Sequence, residues 1–132
     1  MRGSEPVADD ERETMGGRMR DALSRALASD PERVNRLQNA RTSVRFRIAG
    51  SEEHVTVLLD KDHAQLDLGN GPAEIEIELD VEQVKQFVAG DFPLPPAVVS
   101  GAVAVRGPVR KYLQFDAILR GLLAETSKDA SA

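Results

Sequence analysis

His54 and His63 are the only imidazoles in the chain, and Asp60, Asp62 and Asp67 fall close to them in sequence. Imidazole with carboxylate is a donor set for a weak cation site. No cysteine and no convergent carboxylate cluster accompanies the pair. The histidines therefore read as two solvated strand residues, and the aspartates as turn formers that satisfy nearby backbone N–H groups. Ser100 precedes Gly101 but lies outside a G-x-S-x-G elbow, so it reads as a turn residue and not a nucleophile. Gly69-Asn70-Gly71 lacks the strand-to-helix setting and the further glycine of a dinucleotide fingerprint, and the sequence holds no GKS or GKT phosphate loop. No catalytic constellation emerges, so the expectation is a protein that is not an enzyme and has no cofactor and no metal. Arg106, Arg110, Lys111 and Arg120 form a basic group near the end of a chain whose net charge is −5. Such a local excess has the chemistry to meet a phosphate head group, a coenzyme A moiety or an anionic membrane.

The elements that must position these residues follow from spacing. Met1 to Thr14 is charge-dense without apolar periodicity and reads as a flexible N-terminal arm, 1–14. Met15, Met19, Ala22, Leu23, Ala26 and Leu27 then form a helical stripe that starts near Gly17 or earlier. Asp30-Pro31 caps a short second helix carrying Val34 and Leu37. Four alternating segments follow: 44–48, 54–59, 63–68 and 73–79. Each shows one apolar and one polar face, and the turns between the first three predict an antiparallel meander. Outward Arg45 and Arg47 against outward Glu74, Glu76 and Glu78 predict that the first and fourth strands are neighbours. Asp80 with Gln83 three residues on is a capping box for a helix ending at Gly90, with Val81, Val84, Phe87 and Val88 inward. The apolar, proline-bearing stretch 91–99 cannot pair as an ordinary strand and can form one or two helical turns after Pro96. A turn at Ser100-Gly101, a strand through Val103 and Val105, and a Gly107-Pro108 helix start complete the pattern. The last helix carries Val109, Tyr112, Leu113, Ile118, Leu119, Leu122 and Leu123, and a flexible polar tail, 125–132, ends the chain.

Composition excludes several classes. The 132 residues suit one domain, and no apolar run is long enough to cross a bilayer. The start of the chain lacks the apolar core of a signal peptide, which makes a cytoplasmic location the expectation. Net negative charge, no tryptophan and one tyrosine argue against a nucleic-acid partner, which needs clustered cations and stacking rings.

From about Arg33 to Ala124 the order of elements resembles the sterol carrier protein type-2 family. The residues that carry the resemblance are Val81-Glu82-Gln83-Val84 with Ala89-Gly90-Asp91, and Ser100-Gly101-Ala102-Val103-Ala104-Val105-Arg106-Gly107 leading to Leu113. Ala102 and Ala104 stand where lysines are frequent in the family, and Pro108 where aspartate is frequent. The resemblance implies an α+β fold: a five-stranded mixed, mostly antiparallel sheet with one parallel pair, covered on one face by helices that enclose an apolar tunnel. It further implies one lipid-binding domain, 15–124, that binds or transfers a fatty acyl chain, acyl-CoA, sterol or phospholipid. On that reading Phe46, Ile75, Phe87, Phe92, Leu94, Val98, Tyr112, Phe115 and Leu119 face the ligand, with Phe92 and Leu94 as the lid and Arg110 and Lys111 at the head group. Transient membrane contact and a homodimer through the N-terminal helical stripe are the further partner expectations. Two other roles fit the same residues: an accessory protein that binds or shapes a hydrophobic biosynthetic intermediate, and a structural homodimerising domain.

Overall fold

The structure is a computed structural model and describes residues 7–131. Strands β1 (Ser43–Ile48), β2 (His54–Leu59), β3 (Ala64–Asp67), β4 (Ile75–Leu79) and β5 (Ala104–Arg106) form one sheet in the order β3-β2-β1-β4-β5. The β1–β4 pair is parallel and the other three pairs are antiparallel. The predicted meander and the predicted neighbours β1 and β4 are both present. Glu76 is the reason the charge pattern pointed to that pairing. Its carboxylate lies 3.5 Å from Arg45, 3.9 Å from Arg47 and 3.6 Å from Arg106, so one central acid serves three strands.

Alternation sends Val44, Phe46, Ile48, Val55, Val57, Leu59, Ile75, Ile77 and Leu79 to one face, where all are buried. Helices α1 (Val7–Ser29), α2 (Pro31–Gln38), α3 (Val81–Val88), α4 (Leu94–Ser100) and α5 (Val109–Ser131) cover that face. Local chemistry fixes their ends. Asp30 accepts from the Glu32 and Arg33 amides at the start of α2, and Asp80 and Gln83 close the capping box of α3. Gly101, at φ 81°, takes the left-handed turn after α4.

The structure departs from the sequence reading at several boundaries. Helix α1 begins at Val7, inside the segment read as an arm, because Glu, Ala and Arg extend a helix whose next turns are already packed. Residues 1–6 lie outside the described residues. In the same way α5 continues to Ser131 through the segment read as a tail, whose Ala132 also lies outside them. The side chain of Val109 is likewise outside the described set. Strand β3 stops at Asp67, where the carboxylate accepts from the Gly69 amide and turns the chain away, leaving Leu68 53% exposed. Strand β4 starts at Ile75, since the Glu74 amide is drawn to Ser43 Oγ, and β5 is three residues long. Helix α4 begins at Leu94, one turn earlier than expected, because prolines at a first turn remove amides that have no helical partner there. The stripe on α1 is covered within the same chain: α1 packs on α3, α5, β2 and β3, and Met15, Met19, Ala22, Leu23 and Ala26 are buried there. The apolar surface on which the homodimer expectation rested is thus already satisfied.

Gly90 shows how closely the helical layer is joined. It combines φ of 79° with an approach in which an added Cβ would lie 2.5 Å from the Ala124 amide nitrogen on α5. Gly90→Ala therefore carries both a left-handed backbone cost and a backbone clash, and should lower unfolding free energy by about 2–4 kcal/mol in a denaturant titration. A loss under about 0.5 kcal/mol would mean that α3 and α5 are not held together at this point.

Candidate functional site

The largest side chains of the core converge where α5 crosses above the sheet. Phe46 on β1 lies 4.9 Å from the Phe87 ring on α3 and 6.1 Å from Tyr112 on α5, and Tyr112 lies 4.8 Å from Phe115. The last two contacts are edge-on, the arrangement that places a ring's positive rim on its neighbour's negative face. Ile75, Leu94 and Leu119 are buried in the same cluster, while Phe92 and Val98 pack against it half-buried. All nine residues expected at a ligand therefore belong to one contiguous region. In this state they pack as core.

The neighbouring backbones of α5 belong mainly to α1, α2, α3 and α4, so rings and aliphatic chains bridge the space between α5 and the sheet. Side chains can turn aside from such a space more readily than backbone ladders can part. Phe92 just before α4 and Val98 within it are half-buried, and Val99, near the end of α4, is 86% exposed. The two residues expected as the lid differ in exposure: Phe92 is half-buried, whereas Leu94 is fully buried.

One polar line enters this apolar region. Tyr112, Asp116 and Arg120 repeat at four-residue spacing on α5 and so share one face of the helix. Asp116 is only 2% exposed, and its Oδ2 accepts from Arg120 Nε at 3.1 Å. The Tyr112 hydroxyl is buried and completes no hydrogen bond. Burial, with the Asp116 charge beside it, pushes the phenol well above its ordinary range. Burial likewise raises the Asp116 carboxyl above its ordinary 3.8, with Tyr112 and Arg120 opposing the rise. The sequence reading counted Arg120 as a free surface cation and passed over Asp116. The signal was present in the spacing Tyr-x3-Asp-x3-Arg, which sets an acid and a phenol on the inward face of an amphipathic helix.

The remaining candidates are distributed differently. Arg110 is exposed, whereas Lys111 donates to Glu74 Oε2 at 2.9 Å, and Glu74 also accepts from Thr42 at 2.6 Å. Those two contacts, Thr42 first, hold the Glu74 carboxyl below its ordinary value. The basic group of the sequence is therefore largely paired: Arg106 faces Glu76, Lys111 faces Glu74 and Arg120 faces Asp116. His54 and His63 do not meet. His54 Nε2 lies 3.1 Å from the Gly69 carbonyl, and His63 Nδ1 lies 3.0 Å from Asp60 Oδ1. Asp60 also accepts from the Asp62 and His63 amides, which is turn chemistry. A concavity of about 360 Å³ opens on the outer sheet face between Arg47, Glu76, Glu78, Ala104 and Arg106. Its charged walls suit water more than an acyl chain.

A mixed sheet with one face covered by helices defines an α+β protein. By sequence, residues 22–120 match the SCP-2 sterol transfer family, and the chain belongs to that family. No curated protein matches it. Among solved structures it is similar to a possible sterol carrier protein from Thermus thermophilus, with TM-score 0.60 and 15% identity over 83% of this chain and 85% of that one. The apo form of sterol carrier protein 2 from Yarrowia lipolytica aligns with TM-score 0.55 and 23% identity over 82% and 85%. A UbiJ-SCP2 ubiquinone synthesis protein aligns with TM-score 0.59 and 16% identity over 81% and 88%. Among the described residues no helix is long and apolar enough to cross a membrane.

The raised Asp116 carboxyl makes a prediction for stability. The folded protein holds this proton more tightly than the unfolded chain, so stability falls as pH rises from the ordinary value of 3.8 through the raised folded value, and stays lower above it. Asp116→Asn removes that loss. Its melting temperature relative to the parent should therefore rise between pH 3 and pH 7 in paired thermal melts. A relative melting temperature that falls over this window would mean that ionised Asp116 stabilises the fold.

Proposed function

We propose that this protein binds and transfers a hydrophobic small molecule, of which fatty acyl chains, acyl-CoA, sterols and phospholipids are the candidate classes, between its sheet and α5. The observation that carries the reading is the cluster of Phe46, Phe87, Tyr112 and Phe115, which joins sheet, α3 and α5 through side chains. Family membership supports the same reading. The protein acts by burial and needs no bond-making step. Fully burying an acyl chain of about 14 methylenes contributes at most about 11 kcal/mol, at about 0.8 per methylene. Ordering and displacement costs reduce that sum, yet micromolar affinity needs only about 8 kcal/mol.

Loading would proceed past α4, where Phe92 and Val98 yield and Leu94 withdraws. Val99, almost fully exposed beside them, supplies an apolar contact for a membrane surface. Arg110, exposed at the start of α5, would meet an anionic lipid there, while Lys111 would join it only by releasing Glu74. A role as an accessory to a biosynthetic pathway would use the same region between sheet and α5, with its hydrophobic intermediate in place of a general lipid.

A pyrene-labelled acyl chain should bind with 1:1 stoichiometry and be displaced by unlabelled chains, and Phe92→Ala should change the rate of uptake more than it changes melting temperature. Absence of saturable binding at about 100 µM protein with the fold intact would contradict the carrier reading. Native mass spectrometry of protein from cells separates the general from the pathway role, by a mixture of lipid adducts or by one intermediate.

A further inference from the structure

Among the described residues Asp116 is the only charged residue in the buried set, and it lies in the region proposed to take the ligand. An apolar side chain at that point would pack without the cost of desolvating a carboxylate. Arg120 accounts for one side of the group, through Oδ2. Tyr112 is the second anomaly. Its ring is fixed between Phe46 and Phe115, and its hydroxyl, in a residue only 1% exposed, has the Asp116 carboxylate beside it but completes no hydrogen bond. A buried donor in that state loses its water and recovers only the attraction of the Asp116 carboxylate beside it. A bound molecule that brought a complementary atom would restore what burial removed.

We propose that Tyr112 and Asp116, with Arg120 holding Asp116 in place, anchor the hydroxyl group of a long, uncharged apolar molecule. The inference rests on the carrier reading and narrows its ligand class. The phenol offers a donor and the carboxylate an acceptor, one turn apart on the same helix face. A hydroxyl answers both, since it accepts from Tyr112 and donates to Asp116. A carboxylate or phosphate has no proton to give at neutral pH and meets the Asp116 charge at close range in a poorly solvated site. Arg120 does not reverse that preference, because its guanidinium is already committed to Asp116. An ether accepts from the phenol but leaves the carboxylate unanswered. The apolar body would lie along the rings of Phe46, Phe87 and Phe115, with its polar end at the level of Tyr112 and Asp116. Arg120 is a positioning residue in this scheme.

The test uses the full chain loaded with Nile red, and displacement by 1-dodecanol, dodecyl methyl ether and dodecanoate at pH 7.5. The parent protein should prefer the alcohol to the acid by about tenfold, with the ether between them. Tyr112→Phe should weaken alcohol binding about 3- to 10-fold and leave the acid within about twofold, while melting temperature holds or rises because an unpaired hydroxyl is gone. Asp116→Asn should shrink the alcohol-to-acid ratio by improving the acid. A ratio unchanged by both variants, or a parent that prefers the acid, overturns the anchor and leaves the carrier reading standing. Failure of all three compounds to displace the dye, or of the dye to bind, overturns both.

Discussion

Everything in the covering layer depends on how the apolar face of the sheet is closed. The nine inward residues of β1, β2 and β4 are buried, and α5 closes over them through side chains, with Phe46, Phe87, Tyr112 and Phe115 as the bridge. That choice has two consequences. The rings stabilise the layer because they bury large areas, and Tyr112 meets both Phe46 and Phe115 edge-on. Exchanging these ring contacts for others would also break no backbone ladder.

Electrostatics on the two sides of the sheet serve different ends. On the outer face Glu76 gathers Arg45, Arg47 and Arg106 within 4 Å and ties β1, β4 and β5 in register. Such partly exposed pairs contribute modestly to stability, and their value lies in specifying which strands are neighbours. On the inner side Asp116, the one charged residue buried among the described residues, is costly where it stands. A polar group kept at a cost inside an apolar region is the kind of local inconsistency that marks function more often than packing.

Much of the fold was legible in the sequence, because period-two alternation, a capping box and turn glycines are local signals with one structural solution. The β1–β4 neighbourhood was legible from the charges on their outer faces. Boundaries were less so: Leu68 continues an alternation in sequence but is exposed, because the Asp67 carboxylate captures the Gly69 amide. The extension of α1 back to Val7 has no apolar signature at all. For the site, composition pointed to large apolar side chains at inward positions, and the structure gathers them in one core. It could not separate packed core from ligand wall, as both demand the same residue types. The pairings Lys111–Glu74 and Arg120–Asp116 were hidden because each cation was counted without the acid that faces it.

The central claim is that the space bridged by these rings opens to admit an apolar molecule. Nuclear Overhauser contacts between the methylenes of an added dodecyl chain and the aromatic protons of Phe46, Phe87, Tyr112 and Phe115 test it directly. The account predicts such contacts for all four rings, with the ring-to-ring contacts of Phe46 and Tyr112 weakened in the complex. Contacts confined to the outer sheet face, around Arg47, Glu78 and Arg106, or ring contacts unchanged at saturation, would contradict it.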